Sequence, residues 1–216
     1  MIRFLNVSLE HLPGRGIKGV SFSIERGQFV LLAGPTGAGK TTVLRLIYLE
    51  LIPDSGQILI EGQFQHYNRK RELALLRQKM GIVFPEPRLL PDRNVFDNVA
   101  LPLRIAGWKS RNAHLQVNRL LFRFGLKDRG RAFPGELSSG EQKKAAIARA
   151  LVARPFILLA DEPLSNIDAE ASAEVLEHLR QINAEGMTIL AATHIPDPYQ
   201  GLAHRTLHLR NGRLIE

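Results

Sequence analysis

Gly34-Pro35-Thr36-Gly37-Ala38-Gly39-Lys40-Thr41 is the stretch that decides the fold of this chain. It fits G-x-x-x-x-G-K-[ST] at every fixed position. Phe29-Val30-Leu31-Leu32-Ala33 precedes it, apolar throughout as a strand covered on both faces must be. A helical pattern follows, starting near Gly39. Glycines let successive backbone N–H groups converge on one point, and the helix start adds partial positive charge, so the loop is suited to cradling phosphate. Gly34, Pro35, Thr36, Gly37, Ala38 and Gly39 would line the cradle. Lys40 would reach the β- and γ-phosphates of a nucleoside triphosphate, and Thr41 would ligate Mg²⁺, with Thr42 beside it. A glycine-rich turn that only caps a helix is the alternative, and it leaves the strand before the loop and the lysine within it unused.

Working outward, two more apolar runs match the first. Phe156-Ile157-Leu158-Leu159-Ala160 and Met187-Thr188-Ile189-Leu190-Ala191-Ala192 are strand-sized, and helical patterns follow them near Ala169 and Pro198. Strand then helix, repeated, predicts a parallel sheet with crossover helices. Asp161-Glu162 ends the second run, at the edge where such sheets bind ligands. Asp161 would hold Mg²⁺ and Glu162 would take the proton of an attacking water. Ile2 to Leu9 and Ile17 to Glu25 alternate apolar and polar residues, as half-buried antiparallel strands do. Val95 to Ala153 is mostly helical in pattern, which predicts a helical subdomain beside the sheet. Thr206 to Ile215 reads as a hairpin with an Asn-Gly turn.

The composition sets limits. The 216 residues, 44% hydrophobic and 23% charged, are ordinary globular usage in one continuous domain, without internal repeat or linker. There is no cysteine, which removes disulfides, thiolate chemistry and cysteine-held metals. No apolar run approaches the length of a membrane span, and the N-terminus lacks the apolar stretch of a signal peptide, so a cytosolic address is expected. Lys and Arg number 29 against 21 Asp and Glu, a net charge of +8 that favours a phosphate ligand, nucleic acid or an anionic membrane.

Leu137-Ser138-Ser139-Gly140-Glu141-Gln142 discriminates among phosphate-binding chains. Alone, Ser138 to Glu141 is the spacing of a capping box. Here it opens a helix, Gln142 to Ala153, between the glycine-rich loop and the acidic strand. In that order and over nearly its whole length the sequence resembles the ATPase subunits of ABC transporters. The resemblance implies an α/β P-loop NTPase with a RecA-like parallel sheet core, an N-terminal antiparallel β subdomain and an inserted helical subdomain at about 86–153. It implies ATP and Mg²⁺ as ligands. It also implies a head-to-tail dimer in which Ser138, Ser139 and Gly140 meet the γ-phosphate held by a second copy of the chain. Ser139 stands where the family usually has glycine. Asp168, in Asn166-Ile167-Asp168, matches the carboxylate of the loop coupling the two sites. His194, after the third run, matches the histidine that senses the γ-phosphate.

Two positions depart from the family pattern. His11 stands where an aromatic ring stacks on adenine. Pro85, after Gly81-Ile82-Val83-Phe84, stands where a glutamine begins the loop that touches Mg²⁺ and answers to the membrane partner, and proline has no side-chain donor or acceptor. Within the family the chain resembles the cell-division branch in Met1 to Ser8, Leu46-Ile47-Tyr48 and Leu89 to Ala100. That branch implies an FtsX-like integral membrane permease as partner and a peripheral place on the cytoplasmic face of the inner membrane. Lipoprotein-release and macrolide-export ATPases share several of these stretches, and a nucleotide-binding scaffold slowed by Pro85 is the other alternative. Lys109 to Arg131 carries seven basic residues against the single acid Asp128, which fits either a solvated face or an anionic membrane surface. A nucleic-acid role is not expected, because soluble ABC ATPases of that kind carry paired cassettes, a coiled coil or zinc-binding cysteines.

Overall fold

The structure, a computed structural model, describes residues 1–12, 15–65, 67 and 69–215, with the side chains of residues 11, 12 and 15 outside the description. The chain divides into two compact units, Met1–Arg77 with Ile182–Glu216, and Gln78–Gln181.

In the first unit, N-terminal alternation produces a half-buried sheet. β1 (Ile2–Leu12) pairs antiparallel with β2 (Arg15–Ile24), and the Phe4 and Phe22 rings stack at 4.6 Å. β3 (Phe29–Ala33) and α1 (Lys40–Ile47) bracket the glycine-rich loop. β4 (Ser55–Ile60) and β5 (Gln63–Phe64) complete an antiparallel sheet of order β2-β1-β4-β5. α2 (Lys70–Gln78) ends at the boundary of the units.

The second unit opens with β6 (Met80–Val83), which pairs in parallel with β7 (Ile157–Asp161). Between them lie α3 (Val95–Ile105), α4 (Ser110–Arg123) and α5 (Ser139–Leu151), so the expected helical insertion is present. α3 packs on both α4 and α5. Asn94 caps α3 by accepting from the Asp97 N–H at 2.7 Å. Buried Asn98 accepts from Leu90 N–H at 2.7 Å and donates to the Leu90 and Arg93 carbonyls, fixing the loop that leads into the helix. α5 begins three residues earlier than the Gln142 start its pattern suggested, because Ser138 is its cap. α6 (Ala169–Ala184) follows β7 as expected.

The chain then returns to the first unit. β8 (Thr188–Thr193) and β9 (Arg205–Arg210) flank β3, both parallel to it, and β10 (Arg213–Ile215) closes on β9 as the expected hairpin. β3, β7 and β8 are buried at every residue, as their apolar runs require. The helix expected near Pro198 is only a 3₁₀ turn, Asp197–Tyr199. Pro196 and Pro198 remove two N–H donors there, and Gly201 turns left-handed at φ 74°. Among the described residues no helix is long and apolar enough to cross a membrane.

Candidate functional site

Each unit carries part of the predicted chemistry. In the first, the loop leaves the C-terminal end of β3 level with Thr193 on β8, and the Gly34 N–H donates to the Thr193 carbonyl at 3.2 Å. His194, the next residue, is exposed, so the structure brings it and the loop to the same edge of one sheet. A Cβ on Gly34 would lie 2.1 Å from the Leu209 carbonyl oxygen, so only glycine fits. Gly39, at φ 106°, begins α1 without a side-chain cap, and the first turn carries no acid to neutralise the helix's positive end. Ala38 is buried, while Pro35, Thr36, Gly37 and Thr41 are exposed and Thr42 is half-buried. Lys40 is only 6% exposed, and its Nζ donates to the carbonyls of Gly34 at 2.8 Å and Pro35 at 3.1 Å. The ammonium is thus carried on the loop itself. Glycines that adopt left-handed backbone, a lysine folded onto them and an acid-free helix start together fit a polyphosphate.

Sequence reading missed the support under this loop. Gly212, in the Asn-Gly turn between β9 and β10, donates its N–H to the Ala38 carbonyl at 3.1 Å and accepts from Lys18 N–H at 2.7 Å. The C-terminal hairpin therefore braces the loop. The His11 side chain lies outside the described residues.

In the second unit, Asp161 ends β7 and is 6% exposed, and half-buried Glu162 follows it. Glu162 has a left-handed backbone, φ 47°. For a residue with a long side chain that conformation costs about 1–2 kcal/mol, and such strain collects at functional positions. Three donors converge on its carbonyl: Ser165 N–H at 3.0 Å, Ser165 Oγ at 2.8 Å and Lys143 Nζ at 3.4 Å. The parallel register, Val83 opposite Ala160, brings Pro85 out at the same edge. Its carbonyl accepts from Lys143 at 2.6 Å.

Ser138 caps α5, accepting from Glu141 N–H at 3.1 Å while the Glu141 carboxylate accepts from Ser138 N–H at 2.8 Å. The capping box is therefore real, and the Ser138 hydroxyl keeps its proton for another acceptor. The Ser138 N–H, with Arg129 behind it, holds the Glu141 carboxyl below the usual carboxylate range against the effect of burial. Ser138 and Ser139 are exposed. Gly140 is buried: a Cβ there would lie 2.7 Å from the Ala171 Cβ, so this glycine lets α5 approach α6. Asp168 caps α6, accepting from Ala171 N–H at 2.8 Å.

Lys143 carries no local motif, and sequence reading passed over it. It lies on the stripe Gly140, Lys143, Ile147, Leu151, whose other members are buried and uncharged, and a cation in that register is the signal that marks it.

The sequence profile described as "ABC transporter" matches residues 17–165. The cell division ATP-binding protein FtsE of Escherichia coli strain K12 is 40% identical over 99% of this chain and 97% of its own length. FtsE of Streptococcus pneumoniae serotype 2 is 41% identical over 92% of this chain and 86% of its own. Among solved structures, the dimeric, post-hydrolysis state of the ATP-binding cassette MJ0796 bound to ADP and Pi superposes with a TM-score of 0.90 at 28% identity, covering 100% of this chain and 97% of that one.

Proposed function

The chain belongs to the ABC transporter family, and from that premise we propose that it is the ATP-binding, ATP-hydrolysing subunit of a membrane complex acting in cell division. The Gly34–Thr41 loop carries the reading. Its glycines are required by close contacts and left-handed backbone, and its lysine is already folded over it.

The roles follow from side-chain chemistry. Lys40 draws the charge of the β- and γ-phosphates, and His194 hydrogen-bonds the γ-phosphate. Thr41 and Asp161 would hold Mg²⁺, which would neutralise charge on the phosphate oxygens. Among the described residues no three His, Asp or Glu side chains cluster to hold a metal by themselves. That suits Mg²⁺, which keeps one or two protein ligands and takes the rest from phosphate and water. Glu162 accepts the proton of the water that attacks the γ-phosphorus, releasing ADP and phosphate. Ser138, Ser139 and Gly140 of a second copy close on the γ-phosphate, with Asp168 in the coupling loop; MJ0796, dimeric with ADP and Pi, supports this arrangement.

The membrane partner is an FtsX-like permease, which places the chain peripherally on the cytoplasmic face of the membrane. FtsE relatives matched over nearly their whole length support that choice. An anionic bilayer lies against α4. Its outer stripe sets Arg111 and Arg119 beside Leu115, 64% exposed, and Phe122, 70% exposed, the mixture an interfacial helix needs.

A second reading, a nucleotide-binding scaffold with slow hydrolysis, rests on Pro85, whose carbonyl is engaged by Lys143. Steady-state phosphate release, measured with and without the permease in vesicles, separates the two. The enzyme releases phosphate from Mg-ATP and is stimulated by the permease. Nucleotide binding without phosphate release under either condition establishes the scaffold.

A further inference from the structure

Lys143 is the most deeply buried charged side chain among the described residues, 1% exposed. An apolar side chain would fill its place on α5 without the cost of stripping water from an ammonium. What the ammonium does instead is make three contacts that no neutral side chain matches. Its donors meet the Pro85 carbonyl at 2.6 Å, the Glu162 carbonyl at 3.4 Å and Ser165 Oγ at 3.4 Å. An ammonium has three N–H donors and no acceptor, so three acceptors around it satisfy it completely.

These acceptors come from two segments far apart in sequence, both at the C-terminal edge of the β6–β7 pair. The Pro85 end is itself fixed. Arg149, two turns along α5, donates to the Pro87 and Arg88 carbonyls at 2.7 Å each, and the Arg88 guanidinium lies 4.2 Å above the Phe84 ring. The Glu162 end is the strained one, with its left-handed backbone. Ser165 Oγ, which accepts from Lys143, donates its hydrogen bond to the Glu162 carbonyl at 2.8 Å, with the Pro85 carbonyl second at 3.3 Å.

We propose that Lys143 is a positioning residue for hydrolysis: anchored on the Pro85 carbonyl, it holds Glu162 in its left-handed backbone and so fixes the direction in which the carboxylate leaves the chain. At position 85, where the side chain has nothing to offer, the backbone oxygen serves as the anchor. The proposal rests on the reading of Glu162 as the general base. Burial draws the lysine's pKa down to about 8, and the Glu162 and Asp161 carboxylates oppose that fall. A group that aims the base without touching nucleotide acts on the chemical step and leaves ground-state binding alone.

The test is kcat and KM for Mg-ATP on the full chain, for wild type, Lys143→Met, Lys143→Arg, Ser165→Ala and Glu162→Gln, with thermal melts alongside. Misplacing a catalytic group by about an ångström costs on the order of 10²-fold. Lys143→Met is expected to lose about 10- to 100-fold in kcat with KM within about twofold of wild type. Lys143→Arg, which keeps charge and donors, recovers most of that loss. Ser165→Ala, which leaves the buried charge in place, loses several-fold in kcat alone, and it carries the test if Lys143→Met does not fold. Wild-type kcat in Lys143→Met, in Ser165→Ala when Lys143→Met does not fold, or a KM that rises in step with the loss of kcat, overturns the proposal. If Glu162→Gln is inactive while Lys143→Met keeps wild-type kcat, only this proposal falls. If Glu162→Gln hydrolyses at the wild-type rate, the base assignment falls and takes the proposal with it.

Discussion

Pro85 and Lys143 pose the question of what a single position contributes. Proline at 85 fixes φ and offers only its carbonyl, which Lys143 occupies. Lys40, Thr41, Asp161 and Glu162 do not depend on a side chain at 85, so ATP binding is expected to be intact and basal turnover slow. Pro85→Gln keeps the carbonyl and adds a polar side chain that can position water. One such contact is worth about 1–3 kcal/mol, so turnover should rise about tenfold with little change in ATP affinity. An unchanged rate in a wild type that is already fast would show the position to be dispensable. Lys143 makes a second prediction. Burial lowers its pKa from the ordinary 10.5 to about 8, opposed by Glu162 and Asp161. Because the folded value lies below the unfolded one, the unfolded chain binds more protons between those two pH values. Stability from this group therefore rises with pH across that window. Urea midpoints measured across it should move in favour of the wild type relative to Lys143→Met, whereas a constant difference would mean that folding does not lower the lysine's pKa.

At the scale of elements, α5 is held to its neighbours by close approach as well as by charge. Gly140→Ala places a methyl 2.7 Å from the Ala171 Cβ on α6. Alanine gains about 1 kcal/mol in helix propensity, but the overpacking costs about 1–3 kcal/mol, so the melting temperature should fall. Gly140→Ala with Ala171→Gly should restore it; a melting temperature that does not fall in the single variant would mean that the helices separate freely. α4 makes a different prediction. Arg111→Glu with Arg119→Glu should weaken sedimentation with anionic vesicles, while zwitterionic vesicles bind neither protein, and about 1 kcal/mol per basic residue sets the scale. Equal binding by both proteins would return α4 to a solvated face. The elements best read from sequence were those with local signals: the apolar runs of β3, β7 and β8, the alternation of β1 and β2, and the Asn-Gly hairpin. Local pattern failed at Pro198, where two prolines interrupt a promising run, and at the start of α5, where the cap set the boundary. The glycine-rich loop, Asp161, Glu162 and His194 were legible as candidates, each at the end of a strand, because their spacing lies within single strand–loop segments. Lys143 and Gly212 were not, since their partners lie 58 residues away at Pro85 and in a loop near the other end of the chain.

At the scale of the whole molecule, the proposed ATPase works as a pair, as the dimeric cassette MJ0796 suggests. With Glu162, the proposed proton acceptor, changed to glutamine, the groups proposed to hold ATP remain, so nucleotide should stay bound and the paired state should accumulate. The measurement that tests this most directly follows phosphate release and light scattering together on purified Glu162→Gln in Mg-ATP, beside the wild type. Hydrolysis is expected to fall by roughly 10²–10⁴-fold, with bound ATP retained and a scattering mass that doubles with ATP and returns to the monomer with ADP. Hydrolysis at the wild-type rate, or a mass that stays monomeric with ATP bound, would contradict that expectation.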